Sequence, residues 1–529
     1  MKPEKGFSYT EFLFFVGLLG IWVLLGAGCT KNPDQKDSGQ ITLAGYRDLA
    51  PGENFFFPES LVCRTWESLV GIQDRCFAPM PQLAESWQMA EDGKAWTFHL
   101  RKDVIFHDGT AFNADAVMAN FKRYEKAPGK TRFYRFRMDR YYPGFSSIKK
   151  QDDNTVTLYF NAPFPGLPHY MAGWGSPIFS PACFDPKTFV FTKTPAGTGP
   201  FGVARHEPDQ YVILKRFDRY WGKKALSPTI RIRVIPDVHT RFSALKSGEI
   251  QGVIDLGGMT PSLARELSQT PGFKVCLEKN SILHFIALNA ERFPFNDPDM
   301  RRALSLAIDR EMISKAFFGG YFPPAASILS HASPFFKPET APFNPKGAGA
   351  LAQKVLKGKR AGVDLVLPSK LFNYPYKDLA QYLQSVMAML GLDVTIRQVE
   401  AGGFNDMLLA GNYHLYIRRQ GLPHADPVGI FEDYMRLESV RGMDRGTQNK
   451  RFHYNYSNAE ALDLLDRIPL ILDMDARKKI FNQLQDLALS TLPVIPLVHE
   501  TTLVVRTKDL EGYGAKVYGA TLETARRTQ

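Results

Sequence analysis

Between Leu83 and Tyr124 the chain reads as strand, turn, strand, turn and helix, and this order limits the folds open to it. Asp92-Gly93 is a strong hairpin-turn signal. After it Trp96, Phe98 and Leu100 alternate with Ala95, Thr97, His99 and Arg101, the pattern of a half-buried strand. His107 to Thr110 supplies a second turn, and Asn113 can cap a helix that carries Val117, Met118, Phe121 and Tyr124 on one side. Further on, Val212-Ile213-Leu214 and Ile230-Ile232-Val234 read as strands, and a helix from about His239 to Lys246 ends at Gly248. Pro298 suits a first helical position, and Asp309 can cap a second helix that stops at Gly319-Gly320. Leu379, Leu383, Val386, Met387 and Leu390 form an apolar stripe closed by Gly391, with a strand following at Leu392, Val394 and Ile396. Helix followed by strand, repeated, specifies an α/β architecture.

A chain of 529 residues with 44% hydrophobic and 22% charged side chains is too long for one core, so two or more lobes are expected. The N-terminus differs from the rest. Lys2 and Lys5 precede an apolar run from Phe12 to Leu25, which ends in Gly26-Ala27-Gly28-Cys29 and a polar tether at residues 30–40. That is the order of a secretory signal, and the run is shorter than the roughly 20 apolar residues that span a bilayer. With Cys29 set apart, Cys63, Cys76, Cys183 and Cys276 remain, an even number for an oxidising compartment; free buried thiols are the alternative. The net charge of +11 is unchanged by removal of residues 1–28, which takes away two lysines and two glutamates. Basic residues are scattered among acidic ones without a sustained stripe, so nucleic acid is not an expected partner.

Several long blocks carry a family resemblance. LAESWQMAEDGKAWTFHLRKDVIFHDGTAFNADAV, GTGPF, FDRYWGKK, LKSGEIQGVIDL and LHFIALNAERFPFNDPDMRRALSLAIDREMI, in this order, resemble the peptide/nickel-type solute-binding proteins (family 5) of ABC importers. The resemblance covers roughly residues 41–510. It implies a two-lobe periplasmic-binding-protein fold of type II, with an inserted subdomain and a Venus-flytrap hinge. Its implied boundaries are 1–28 signal peptide, 29–40 tether, and a first lobe from 41–80, 194–281 and 485–520. The subdomain is 81–193 and the second lobe 282–484. The cysteine after small residues resembles a lipobox, although Gly26 stands where an aliphatic residue is usual, so Cys29 is the expected lipidation site. The implied location is the periplasm or cell surface, on a lipid anchor. The implied partners are a peptide or small-molecule ligand and an ABC permease with its ATPase. The protein is expected to act as a monomer and calls for no cofactor.

The stretch from Tyr413 to Phe431 bears on specificity, because the resemblance places this strand end and loop against the ligand. Peptide-binding members present an acid there; aligned on Asp426-Pro427, Pro423 takes its place and Gln420 replaces the tryptophan. Nickel-type members present a tryptophan and a tyrosine where Gly421 and Ala425 stand, and no arginine occurs in Gly173 to Phe179. The candidate ligand-binding residues are Tyr46 and Arg47 after the first strand, Trp174 between two glycines, Arg418 and Arg419, and His424. Arg418 and Arg419 are adjacent on a strand and so point to opposite faces; one of them can meet a carboxylate bidentately. A ring flanked by Gly173 and Gly175 can stack on a ligand. One histidine, His424, does not make a metal site. No GxSxG, HExxH or GxxxxGK[ST] occurs in a fitting context, so no catalytic residue is assigned and the chain is not read as an enzyme. Peptide-class import is the leading reading. A metal-chelate binder of the same family and a chemosensory or chaperone binding protein are the alternatives.

Overall fold

The computed structural model describes residues 40–49, 63–73, 75–126, 138–173, 176–254, 257–369, 374–422, 424–436, 453–454, 456 and 458–528. Cys29, Trp174 and Pro423 lie outside the described residues. Among the described residues, no helix is long and apolar enough to cross a membrane.

The chain opens with β1 (Ile41–Gly45) and a short hairpin, β2 (Val70–Ile72) and β3 (Pro79–Pro81). It then forms a separate antiparallel sheet from β4 (Ala84–Met89), β5 (Ala95–Leu100), β6 (Phe145–Asp152) and β7 (Thr155–Phe160), in the order β4-β5-β7-β6. The Asp92-Gly93 turn joins β4 to β5 as the sequence predicts, with Gly93 at φ +68° and Lys94 N–H donating to Asp92 Oδ1 at 2.9 Å. Trp96, Phe98 and Leu100 face the core. Asn113 caps the helix Ala114–Lys126 through Ala116 N at 3.0 Å, and Val117, Phe121 and Tyr124 are buried under it.

The chain continues through β8 (Phe201–Glu207), β9 (Tyr211–Arg216), β10 (Thr229–Val234) and β11 (Gly252–Val253). Next come the long β12 (Phe273–Leu288), β13 (Ala361–Pro368), β14 (Leu392–Val399), β15 (Leu415–Gly421) and the long β16 (Val494–Thr507). Together with β1 they form one ten-stranded sheet in the order β14-β13-β15-β12-β16-β11-β1-β10-β9-β8. At one end β1 runs parallel to β10 and β11; at the other β13 runs parallel to β14 and β15. Each end is therefore an α/β unit of its own. Within this sheet the antiparallel pair β12 and β16 joins them.

That pair changes neighbours midway. Phe273–Lys279 pairs with Thr501–Thr507 beside β11, whereas Leu283–Ala287 pairs with Val494–His499 beside β15. The register shifts between Lys279 and Leu283, opposite Glu500. A shift of this kind bends a strand and re-aims its side chains, and the polar cluster described below is built at this point.

Local signals of the second unit are realised. Asp297 and Asp309 cap Pro298–Ala307 and Arg310–Phe318, Gly319 ends the latter at φ 60°, and Tyr376–Met389 closes at Gly391 before β14. The four cysteines among the described residues are free thiols, so the even count does not translate into disulfides. Cys63 and Cys183 are buried, as small apolar side chains often are.

Candidate functional site

Arg419 lies near the end of β15, opposite His284 of β12, and its Nη1 donates to Tyr374 Oη at 2.8 Å. The same nitrogen is 3.5 Å from Glu500 Oε2 of β16. Glu500 is buried but well supplied with donors: His284 Nε2 at 2.8 Å, Asn280 Nδ2 at 3.3 Å and the Tyr374 hydroxyl. Burial alone would raise its pKa, yet these donors and Arg419 hold it below the ordinary glutamate value. Burial lowers the pKa of His284, so the ring is neutral. Its Nε2–H therefore donates to Glu500, and Nδ1 accepts from Tyr376 Oη at 2.5 Å. The carboxylate and guanidinium balance each other, and the Arg419 side chain keeps 19% of its surface exposed. Tyr46, just past β1 in the other α/β unit, is among the groups that act electrostatically on Arg419.

The opposite face of β15 is different. Arg418 Nη1 contacts Tyr454 Oη at 3.1 Å and Tyr416 Oη at 3.4 Å, and those two hydroxyls are 2.7 Å apart. Tyr434 donates to Gln420 on the same face. Tyr416, Tyr434 and Tyr454 belong to the apolar core that also contains the β4–β7 sheet. Leu415 and Ile417, on the Arg419 face, belong to the core of the second unit.

Beyond β15 the chain meets the region that follows β7. Ala425 N–H donates to His169 O at 2.8 Å, and His424 bridges Gly173. His424 is 4% exposed and stacks on Tyr170 at 3.8 Å between centroids. Asp426 Oδ1 accepts from Val428 N at 3.0 Å, at the start of the helix Val428–Met435. Its Oδ2 pairs with Arg477 at 2.6 Å, both side chains being buried. Burial lowers the pKa of neighbouring His169 to about 4.

A cavity of about 550 Å³ adjoins this seam and is lined by Trp66, Gly173, Tyr220, Trp221, Lys516 and Tyr518 among others. Its wall is rigid. Glu67 accepts from Tyr220 Oη and Trp221 Nε1 at 2.8 Å each and from Thr198 Oγ1 at 2.9 Å. Tyr518 Oη donates to Leu422 O at 2.8 Å, which ties this wall to the end of β15. Cavities of this size accommodate small organic ligands.

Comparison with known proteins decides the family. Residues 78–437 match the description "Bacterial extracellular solute-binding proteins, family 5 Middle". The chain belongs to this family. The dipeptide-binding protein of Escherichia coli K12 is 26% identical over 461 residues, 82% of this chain and 83% of that one. The glutathione-binding protein GsiB of the same strain is 25% identical over 503 residues, 94% of each. In fold the chain resembles NikA from Brucella suis, solved in complex with Fe(III)-EDTA, with a TM-score of 0.79 at 19% identity over 92% of this chain and all of that one. The fold is thus the two-lobe type II binding-protein fold. The family 5 protein is a solute-binding component of an ABC importer and not an enzyme.

In this family 5 protein the residues singled out from sequence fall in different places. Arg418 and Arg419 do point to opposite faces. Tyr46 acts on Arg419 electrostatically from the other unit. Arg47 lies with its guanidinium 5.0 Å from the Tyr46 ring centroid. His424 is buried against Tyr170 rather than facing solvent, because its backbone is drawn into a bridge with Gly173. Sequence reading missed Glu500, His284, Tyr374 and Tyr376. The one signal available was His499-Glu500 directly after the apolar run Val494–Val498, where a buried acid needs partners. Among the described residues, no group of three or more His, Cys, Asp or Glu could hold a metal ion.

Proposed function

We propose that this protein captures a small peptide-class ligand bearing a free carboxylate, and that Arg419 receives that carboxylate between the two lobes. The observation that carries the reading is the Arg419–Glu500 pair, 3.5 Å apart where β12 and β16 pass between the units, with Tyr46 of the other unit acting on Arg419 electrostatically. A guanidinium held in place by Glu500 and Tyr374, with 19% of its side chain exposed, is pre-oriented to meet a ligand carboxylate. Tyr46 and Arg47 stand on the first lobe, so a ligand spanning both sides makes its full set of contacts only when the lobes approach. Its differential affinity then favours the closed form, which the permease recognises. The names of the E. coli relatives, dipeptide-binding and glutathione-binding, support the peptide class.

The lobe limits proposed are 41–80, 194–281 and 485–520 for the first lobe, 81–193 for its subdomain and 282–484 for the second. The register shift at Lys279–Leu283 supports a boundary close to 281. Cys29 is proposed as the lipid attachment that holds a monomeric protein at the membrane beside its ABC permease and ATPase. The periplasmic names of relatives support export.

A second reading, capture of a metal chelate, is favoured by the same guanidinium, since a chelator presents carboxylates. Mass spectrometry of ligand released from the purified protein, with metal analysis of the same sample, separates the two. A peptide or peptide mixture without metal supports the first. A metal recovered with an organic acid overturns it.

A further inference from the structure

The chain from Gly166 to Gly173 belongs to the subdomain proposed above, and His424, Asp426, Leu472 and Arg477 belong to the second lobe. Several kinds of contact join the two. Two backbone links cross the seam, the bridge between Gly173 and His424 and the hydrogen bond from Ala425 N–H to His169 O at 2.8 Å. Tyr170 stacks on His424 across it, and the His169 ring lies 5.3 Å from that of Phe335. The buried Asp426–Arg477 ion pair stands behind these contacts.

Gly166 shows how closely the two sides approach. Its φ of −78° is open to any residue, so the backbone there does not call for glycine. The space does: a methyl group at this position would collide with Asp426 Oδ2 and lie 3.1 Å from Arg477 Nη2. At Gly93, in the β4–β5 turn, a methyl group would lie 2.7 Å from Leu472 Cδ2. Two glycines of the subdomain thus admit side chains of the second lobe. We infer that this seam is a latch, in which subdomain and second lobe lock together through contacts that the chain itself supplies. The closed form is then the preferred one before a ligand arrives, and capture depends on residues that the ligand never touches. The inference rests on the lobe limits proposed above. Apparent affinity scales with the fraction of protein already in the binding-competent form, so a wedge in the latch weakens capture without altering the Arg419 cluster.

Gly166→Ala is that wedge, since it suits the local backbone and clashes only across the seam. Small-angle X-ray scattering of the purified full-length protein, before and after unfolding and refolding to strip bound molecules, reads closure. Hydrogen exchange at Ala425 N–H reads the seam itself. Stripped wild type should scatter as the protein does before stripping. Gly166→Ala should show a larger radius of gyration, with Ala425 exchanging about tenfold faster or more, while circular dichroism stays that of the wild type. Leu472→Glu, which sets a charge against the Gly93 turn, replaces Gly166→Ala if the latter does not fold. Wild type that expands on stripping shows that ligand drives closure, and faster exchange at an unchanged radius shows that the seam is ordinary packing; either result overturns the inference. Loss of ligand capture at Arg419 moves neither reading, so the latch and the carboxylate site fail separately.

Discussion

The two faces of β15 place two adjacent arginines in unlike surroundings. Arg419 faces a carboxylate, a neutral imidazole and two phenols; Arg418 faces tyrosine hydroxyls within an apolar core. The same side chain is made a candidate ligand receptor on one face and a packing element on the other. What differs is location. Arg419 stands beside the register shift of β12 and β16, and Tyr46 of the other α/β unit acts on it electrostatically.

The largest effect is expected from Glu500→Ala. It leaves Arg419 and His284 without their buried carboxylate, a loss of about 3–5 kcal/mol by the usual cost of breaking such a pair. Denaturant unfolding reads it, and a change below about 1 kcal/mol would mean that the pair is solvated. Next comes Arg419→Lys. It keeps the charge but loses the planar fork, and should weaken capture of the copurifying ligand by about tenfold or more, measured by calorimetry on ligand-stripped protein. Arg418→Lys sharpens the comparison: stability should fall by about 1 kcal/mol as hydrogen bonds to Tyr416 and Tyr454 are disturbed, with ligand affinity changed less than about threefold. Tyr46→Phe should change affinity less than Arg419→Lys does, by about 1 kcal/mol, the net value of one hydrogen bond.

Acid pH tests the buried imidazoles. Burial depresses His331 and His169 to about 4 each, and His499 and His284 also lie below the ordinary value of 6.5. In the window between these folded values and about 6.5, the unfolded chain binds more protons than the folded one. Stability is therefore full above about pH 6.5 and declines as pH falls toward 4. Thermal melts from pH 7 to 4.5 should show that decline, and His331→Gln should flatten part of it.

Features fixed by neighbours in sequence were legible in advance. Asp92-Gly93, the caps at Asn113 and Asp309, and the closures at Gly319 and Gly391 need only a few adjacent residues, and each appears as read. The opposite facing of Arg418 and Arg419 follows from strand geometry alone. The ion cluster was not legible, because Glu500 meets His284 and Arg419 across more than eighty positions of sequence. Their pairing depends on β12 and β16 coming together, and no local pattern encodes that register. His424 teaches the same lesson. Nothing in the composition of its loop announces the bridge to Gly173 that buries it.

The central claim is that Arg419, not Arg418, receives a ligand carboxylate. Native mass spectrometry of wild type, Arg419→Ala and Arg418→Ala, purified side by side from the same host, tests it directly. A small carboxylate-bearing molecule should be bound to wild type and retained by Arg418→Ala, but absent from Arg419→Ala with both variants folded. Equal occupancy in the two variants, or loss only from Arg418→Ala, would contradict it.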